Sequence, residues 1–274
     1  MKILSETPSA KGYYRIQKGN SINSYKKVYC ECCNEPCYKT SASLKKYTHH
    51  FCSSKCIAKY RFNLDEEVNP LKYIEDNNFY YLLGLIITDG HIAWPKCTPT
   101  QTYYVCNITL HKNDIQLLYD IQKKFGGNIT NSGNCCIWNT HCKEFVDYLR
   151  FAVGLTNNKS LTLNIDLWYN TLTPRQKHYF WRGCIDGDGY VNNTDISNFV
   201  ALYTASPHFA DLIKREFKII GWEVKQKTST MYCFRLAGNR NNLKDFRENI
   251  FSFHEGDLFM QRKFDKFCDI FKKI

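Results

Sequence analysis

No stretch of this 274-residue chain stays apolar for the about 20 residues that a membrane-spanning helix requires; the longest candidate, Tyr80 to Thr88, stops at Asp89. A spanning protein is therefore not expected. The start, Met1-Lys-Ile-Leu-Ser-Glu, has one basic residue and no apolar run behind it, so a secretory leader is not expected either and the chain is read as intracellular. The compositional bias of a disordered chain is also missing: 43% of residues are hydrophobic and 23% charged, the balance of a folded globular protein. At about 150 residues per domain, the length allows roughly two domains.

Acidic residues are scarce at one end. Residues 1–62 hold 12 Lys and Arg against 3 Asp and Glu, whereas the remaining 212 hold 25 against 23. A concentrated basic segment with interleaved Tyr13, Tyr14, Tyr25 and Tyr29 favours a polyanionic partner, because each phosphate it neutralises releases condensed counterions. Residues 1–29 show no sustained periodicity and carry Gly12, Gly19, Asn20 and Ser21, so they read as a mobile basic arm. Around Pro70 the run Asn63-Leu-Asp-Glu-Glu-Val-Asn-Pro reads as a linker over 63–75, between a first module at 30–62 and a larger region beyond.

That first module holds six of the 14 cysteines. In a reducing compartment, grouped cysteines are more often metal ligands than disulfides. Cys30-x2-Cys33, 18 residues, then Cys52-x3-Cys56 is a four-thiolate spacing suited to tetrahedral Zn2+; Cys32, Cys37, His49 and His50 are rival ligands. So short a segment has few apolar residues for a core, and metal ligation would supply its folding energy.

The larger region repeats itself. Tyr81-Leu-Leu-Gly-Leu-Ile-Ile-Thr-Asp-Gly-His-Ile and Phe180-Trp-Arg-Gly-Cys-Ile-Asp-Gly-Asp-Gly-Tyr-Val align without gaps at an offset of 99 residues, placing Gly84 on Gly183, Asp89 on Asp188 and Gly90 on Gly189. Each copy reads as a helix. The second opens on Thr173-Pro-Arg-Gln, an N-cap, a proline at the first helical position and a capping-box glutamine; the first opens on Asn77 or Asn78. Behind each copy the same pattern follows. Strands are expected near 91–95 and 102–111, a helix over 113–126, strands at 127–131 and 135–140 and a helix at 142–152. The second copy has strands near 189–193 and 199–204, a helix over 206–220, strands at 222–229 and 231–237, and a helix from about 241. The class is α+β: two pseudo-symmetric αββαββα repeats at 76–172 and 173–274, preceded by a small zinc-binding domain.

Gly84 and Thr88 lie four apart, as do Gly183 and Gly187, so each helix carries a small-residue stripe that lets two helix backbones nearly touch. If the copies pack about a pseudo-twofold axis, Asp89 and Asp188 meet at the same end. Two such carboxylates repel, which would raise a pKa or cost stability, and a divalent cation resolves the conflict. Hard oxygen donors select Mg2+ or a similar ion, the chemistry of phosphodiester displacement.

Leu82-Leu-Gly-Leu-Ile-Ile-Thr-Asp-Gly90 and Trp181-Arg-Gly-Cys-Ile-Asp-Gly-Asp-Gly189 resemble the signature of the LAGLIDADG homing endonucleases in their two-motif, single-chain form, over about residues 76–274. The resemblance implies a β-saddle over the DNA major groove and a monomer that cuts one phosphodiester per strand of double-stranded DNA with Mg2+ or Mn2+. It implies Asp89 and Asp188 as catalytic metal ligands, with the carbonyls of Thr88 and Gly187 as further ligands. Lys159 and Lys263 are the implied basic residues beside the two centres. Asn107, Thr109, Lys112, Asn192, Thr194, Lys225, Lys227 and Arg235 are the implied DNA-reading side chains. The first copy departs from the signature at Ile87, where an aspartate is usual. The cysteine module resembles the small zinc fingers attached to intron-encoded and phage endonucleases. A non-cleaving DNA- or RNA-binding relative, such as an intron maturase or a transcription regulator, is the alternative reading.

Overall fold

The computed structural model describes residues 2–4, 7–18, 21–54, 56–57, 60, 68–93, 97–98, 101–102, 104–156, 158–194, 197–219, 221–225, 230–237 and 240–273. The chain divides into two compact units, Met1–Glu67 and Val68–Ile274.

The first unit is built on an antiparallel sheet in the order β1 (Lys2–Ile3), β2 (Tyr13–Lys18), β3 (Ser21–Tyr29), β4 (Pro36–Lys39). Residues 1–29, expected as an arm without regular structure, thus supply three of its four strands. The physical reason lies in pairing: Tyr14 faces Tyr25 and Ile16 faces Asn23 across β2 and β3, and Ile16 and Tyr25 are buried among mostly exposed neighbours. A short helix α1 (Ser41–Lys46) follows, capped by Thr40, whose hydroxyl accepts from the Ser43 amide at 3.2 Å. Among the described residues, the remaining buried apolar ones of this unit are Cys30, Cys37 and Phe51, a very small core. Of the linker expected over 63–75, residues 63–67 lie outside the described residues, and Pro70–Tyr73 form a 3-10 turn capped by Asn69.

The second unit is a mixed α+β assembly with antiparallel sheets. It opens with α2 (Asn77–Asp89), β5 (Gly90–Ala93), the two-residue strands β6 (Cys97–Thr98) and β7 (Gln101–Thr102), and β8 (Val105–His111). Then come α3 (Ile115–Phe125), β9 (Asn128–Ser132), β10 (Cys135–Thr140) and α4 (Lys143–Asp147), which runs into a π turn at Tyr148–Ala152. Short helices α5 (Lys159–Thr162) and α6 (Asp166–Tyr169) lead to the second copy. That copy comprises α7 (Pro174–Asp188), β11 (Gly189–Asn193), β12 (Asn198–Thr204), α8 (Pro207–Phe217), β13 (Trp222–Lys225), β14 (Thr230–Ala237), α9 (Arg240–Asn249) and α10 (Gln261–Lys273). The two sheets share one topology, β5-β8-β10-β9 and β11-β12-β14-β13. In each, the first strand leaves the C-terminus of a duplicated helix directly.

Three boundaries differ from the sequence reading. Helix α2 is capped by Asp76, whose carboxylate accepts from the Asn78 amide at 2.8 Å, and not by Asn77 or Asn78. Asn78 is buried and its amide side chain is taken up elsewhere: it donates to the Gly256 carbonyl and accepts from the Leu258 amide at 2.8 Å. Helix α8 ends at Phe217 because Lys218 turns left-handed, with φ 50°. The terminal region is two helices, α9 and α10, because residues 250–260 between them are held by contacts distant in sequence. Helix α7 has the full capping box at Thr173 and Gln176.

The core is continuous through the second unit. Helices α2 and α7 lie inside it, with Phe79 through Ile87 and Tyr179 through Asp186 buried. They pack backbone to backbone. A Cβ on Gly84 would strike the Phe180 carbonyl oxygen, and a Cβ on Gly183 would strike the Tyr81 carbonyl oxygen, its symmetry counterpart. One step further along, a Cβ on Gly187 would strike the Thr88 side chain. Only glycine permits this approach.

Candidate functional site

The close packing of α2 and α7 brings their C-termini together, because both helices run the same way along the stripe and stop one residue past it. Thr88 folds its hydroxyl back onto the Gly84 and Leu85 carbonyls at 3.1 Å, leaving Asp89 as the last helical residue. The Asp89 carboxyl carbon lies 3.4 Å from where a Cβ of Gly187 would sit, so Asp89 reaches across to the residue that precedes Asp188. Burial and the Asp188 charge push the Asp89 carboxyl up to about 6, although Lys263 and Lys159 pull the other way. Asp188 is exposed to solvent at its surface with dense protein behind it, and that surrounding protein raises its carboxyl too, again opposed by Lys159 and Lys263.

Each helix end carries a buried lysine. Lys159, at the start of α5, donates its ammonium to the carbonyls of Ile87 and Thr88, both at 2.6 Å. Lys263, near the start of α10, donates to the carbonyls of Ile185 at 2.8 Å and of Asp186, Gly187 and Gly189 at 2.7 Å. Apart from Ile185, which also accepts from the Gly189 amide, and Gly189, the first residue of β11, these are carbonyls that a helix leaves without partners at its C-terminus, and cations there complement the helix dipole. Only 8% and 7% of the two lysines is exposed, so burial lowers both ammoniums while the neighbouring aspartates hold them up. A cavity of about 210 Å3 opens beside Thr88, Lys159, Asp188, Tyr203 and Met231.

A hard divalent cation suits this donor set: two carboxyls of which one raises the other, with Asp188 open to solvent. The Thr88 and Gly187 carbonyls already accept from lysine, but a carbonyl has two lone pairs and one remains.

Sequence reasoning passed over Asp186, the counterpart of Ile87. It is buried, and its Oδ2 accepts from the Tyr81 hydroxyl and the Met260 amide, both at 2.8 Å. Its Oδ1 has no partner among the described residues, and burial raises this carboxyl to about 6. The signal available in the sequence was the mismatch itself, a charge in one duplicated helix where the other has an aliphatic residue.

The residues expected to read DNA fall in three groups. Asn107 and Thr109 stand on β8, with Asn107 in a row of polar pairs that runs from His91 to Asn139 and Asn128; Thr109 and Lys112 are exposed. Asn192 and Thr194 shape the turn between β11 and β12. Asn192 donates to the Ser197 carbonyl at 2.5 Å, and the Thr194 hydroxyl accepts from the Ser197 amide at 3.1 Å. Arg235 is exposed on β14 with its guanidinium 4.3 Å from the Phe199 ring centre. The Lys225 side chain and all of Lys227 lie outside the described residues.

In the first unit, the sulfurs of Cys30, Cys33, Cys52 and Cys56 lie within 4.8 Å of one another, with Cys33 to Cys52 at 3.5 Å and Cys52 to Cys56 at 3.4 Å. Burial opposes ionisation of Cys30, but the amides of Cys52, Cys33 and Cys32 aimed at its sulfur outweigh it and bring the thiol down to about 6. Four convergent sulfurs with amides turned toward one of them suit a tetrahedral Zn2+. Of the rival ligands, His49 is taken by Glu31 at 2.7 Å, and the His50 amide donates to the same carboxylate at 3.0 Å. Cys32 and Cys37 are not among the four converging thiols.

Residues 175–250 match the family model of the LAGLIDADG-like domain. Solved structures with a similar fold include mesophilic variants of the homing endonuclease I-DmoI, with 16% identity over 65% of this chain and 97% of that one, at a TM-score of 0.49. I-SmaMI bound to an uncleaved DNA target in the presence of calcium ions shares 14% identity over 70% and 89%, with a TM-score of 0.46. I-DmoI in complex with DNA and manganese shares 16% over 65% and 98%, at 0.47. No curated protein matches the chain. Among the described residues, no helix is long and apolar enough to cross a membrane.

Proposed function

We propose that this protein is a site-specific endonuclease that hydrolyses one phosphodiester on each strand of double-stranded DNA, as an intracellular monomer with internal pseudo-twofold symmetry. One observation carries the reading. Two duplicated helix ends meet through glycine, and each presents an aspartate beside a buried lysine that occupies the helix-terminal carbonyls. A protein that only bound DNA would gain nothing from placing two carboxyls where the charge of Asp188 raises the Asp89 carboxyl.

Asp89 and Asp188 would hold a divalent cation, Mg2+ or Mn2+, with the Thr88 and Gly187 carbonyls in reach as further donors. When bound, such an ion lowers the pKa of water and stabilises charge on a phosphoryl oxygen. The chain's own residues do the rest. Lys159 and Lys263 fix the direction of the helix ends and keep positive charge behind the carboxyls, so that both can ionise together once a cation is available. In the reaction, water adds to phosphorus, one P–O ester bond breaks, and the proton from the water ends on the leaving alcohol. The outward faces of the two sheets, with Asn107, Thr109 and Arg235, and Lys112 in the turn just after β8, contact bases and phosphates. The basic first unit, folded around Zn2+ on Cys30, Cys33, Cys52 and Cys56, adds affinity for the DNA backbone.

Cleavage of a plasmid library carrying randomised sites, in Mg2+, tests the reading. Wild type is expected to linearise a subset of plasmids, while Asp89→Asn and Asp188→Asn each lose activity about a thousandfold or more and still retard the selected DNA in a gel. Binding by the wild type without cutting would replace the proposal with a non-cleaving DNA- or RNA-binding role. Cutting that survives both substitutions would remove these aspartates from the centre.

A further inference from the structure

The two buried lysines look equivalent in their work but are installed by different means. Lys263 follows a loop that connects α9 to α10, and the loop is pinned to the duplicated helices along its length. Arg182 donates to the Ile250 carbonyl at 2.8 Å and the Ser252 carbonyl at 2.7 Å and pairs with Asp257 at 3.1 Å. Asn78 holds Gly256 and Leu258. The last fixed point before Lys263 is Met260. Its amide donates to Asp186 Oδ2, and its carbonyl accepts from the amides of Lys263 and Phe264 at 3.0 Å, which starts α10. Asp186 therefore sits one hydrogen bond from the turn that aims Lys263 back at the Asp186, Gly187 and Gly189 carbonyls.

Among the described residues no carboxylate does this work in the first repeat, where the end of α5 is held instead by the Ser206 hydroxyl donating to the Leu163 carbonyl at 2.8 Å. At the offset of 99, Asp186 falls on Ile87, and Tyr81, which donates to Asp186, falls on Phe180, which has no hydroxyl. Lys159 reaches two carbonyls without any carboxylate behind its helix.

We propose that Asp186 is a positioning residue that aims Lys263 at the end of the second duplicated helix, and that the two halves of the centre are consequently set by unequal means, one through a buried carboxylate and one without it. This deepens the endonuclease reading and rests on it for the consequence in cleavage. With one half loosened, one strand is cut and the other lags.

Two measurements separate the proposal from the activity. In protein labelled with 15N-lysine, an ammonium gripped by backbone carbonyls and shielded from water gives a slowly exchanging signal, and wild type is expected to show those of Lys159 and Lys263, assigned with Lys→Met variants. Asp186→Ala is expected to lose only the Lys263 signal. Asp186→Asn, whose amide oxygen still accepts from Met260, is expected to keep it, as is Tyr81→Phe, which leaves the Met260 bond in place. Should alanine not fold, Asp186→Leu fills the space as Ile87 does and asks the same question. Persistence of the Lys263 signal in the alanine or leucine variant, or loss of both signals, overturns the proposal.

On a plasmid that the wild type linearises, Asp186→Ala is expected to accumulate nicked circles, with the second cut slowed about tenfold relative to the first, and Asp186→Asn is expected to restore much of the second cut. Equal slowing of both cuts would overturn the unequal halves. If wild type cuts no plasmid, the endonuclease reading fails while the lysine signals still decide whether Asp186 positions Lys263.

Discussion

Helix α2 and helix α7 occupy equivalent places in the molecule and share little chemistry apart from their glycines and their last acidic residue. Along α2 the inward positions are Leu82, Leu83, Leu85, Ile86 and Ile87, which need no partners. Along α7 the same stretch reads Trp181, Arg182, Cys184, Ile185 and Asp186, and the two charged residues are 1% exposed. Burying a charge is costly unless it is paired and hydrogen-bonded, so α7 is held in a network of carbonyls, Asp257, Tyr81 and Met260 where α2 relies on packing. The difference teaches what duplication preserves. Backbone contact at the glycines admits no alternative residue, whereas the flanking core accepts either oil or a satisfied polar network.

The largest expected effect tests the part that is shared. Gly84→Ala and Gly183→Ala each place a methyl group against backbone atoms of the opposite helix, where no side-chain rotation relieves the clash. Each is expected to lower stability by about 3 kcal/mol despite the better helix propensity of alanine, measured by urea unfolding. Equal losses would support the symmetric approach; a harmless Gly84→Ala beside a damaging Gly183→Ala would show that the two helices do not meet as equals.

A smaller effect tests the part that differs. Lys263 serves four carbonyls and Lys159 two, so Lys263→Met leaves more buried acceptors without a donor. The Ile185 carbonyl keeps the Gly189 amide, so one more acceptor is orphaned at this end than at the other, and the substitution is expected to cost roughly 1 kcal/mol more than Lys159→Met, since each orphaned acceptor carries a desolvation penalty of about that size. The same cost in both would mean that water replaces the ammonium equally well at each end.

What the sequence reveals about this region follows the range of the interactions. The glycine stripe, the capping box at Thr173 and the succession of strands and helices are written in residues a few positions apart, and they are legible, as is the ungapped repeat at an offset of 99. The N-terminal strands are local as well, but Ile16 and Tyr25 are too few to give a periodic signal beside so many exposed lysines and serines. Asp76 capping α2 depends on Asn78 being claimed by Gly256 and Leu258, about 180 residues away. The role of Asp186 depends on Tyr81 and Met260, 105 and 74 residues distant. No window along the chain contains these pairs, and a polar residue inside a buried helix is the trace they leave.

The smallest effect expected is a dependence on pH, and it too falls unequally on the halves. Asp89 and Asp186 both titrate near 6 in the folded protein, raised above the usual carboxylate value near 4, chiefly by burial. A carboxyl raised on folding binds its proton more tightly in the native state. Its contribution to stability is therefore fully present below about pH 4 and is lost as pH rises through about 6. In metal-free protein, the melting temperature of wild type relative to Asp186→Leu is expected to fall across that window, and relative to Asp89→Asn to fall less. Asp186 is sealed from solvent, while Asp89 is only partly buried and has the exposed Asp188 beside it. Added Mg2+ requires the ionised form of Asp89, so it should flatten the Asp89-dependent part above about pH 6 and leave the Asp186-dependent part unchanged. Difference melting curves with and without Mg2+ read the two apart, and a cation that flattened both would place Asp186 among the ligands.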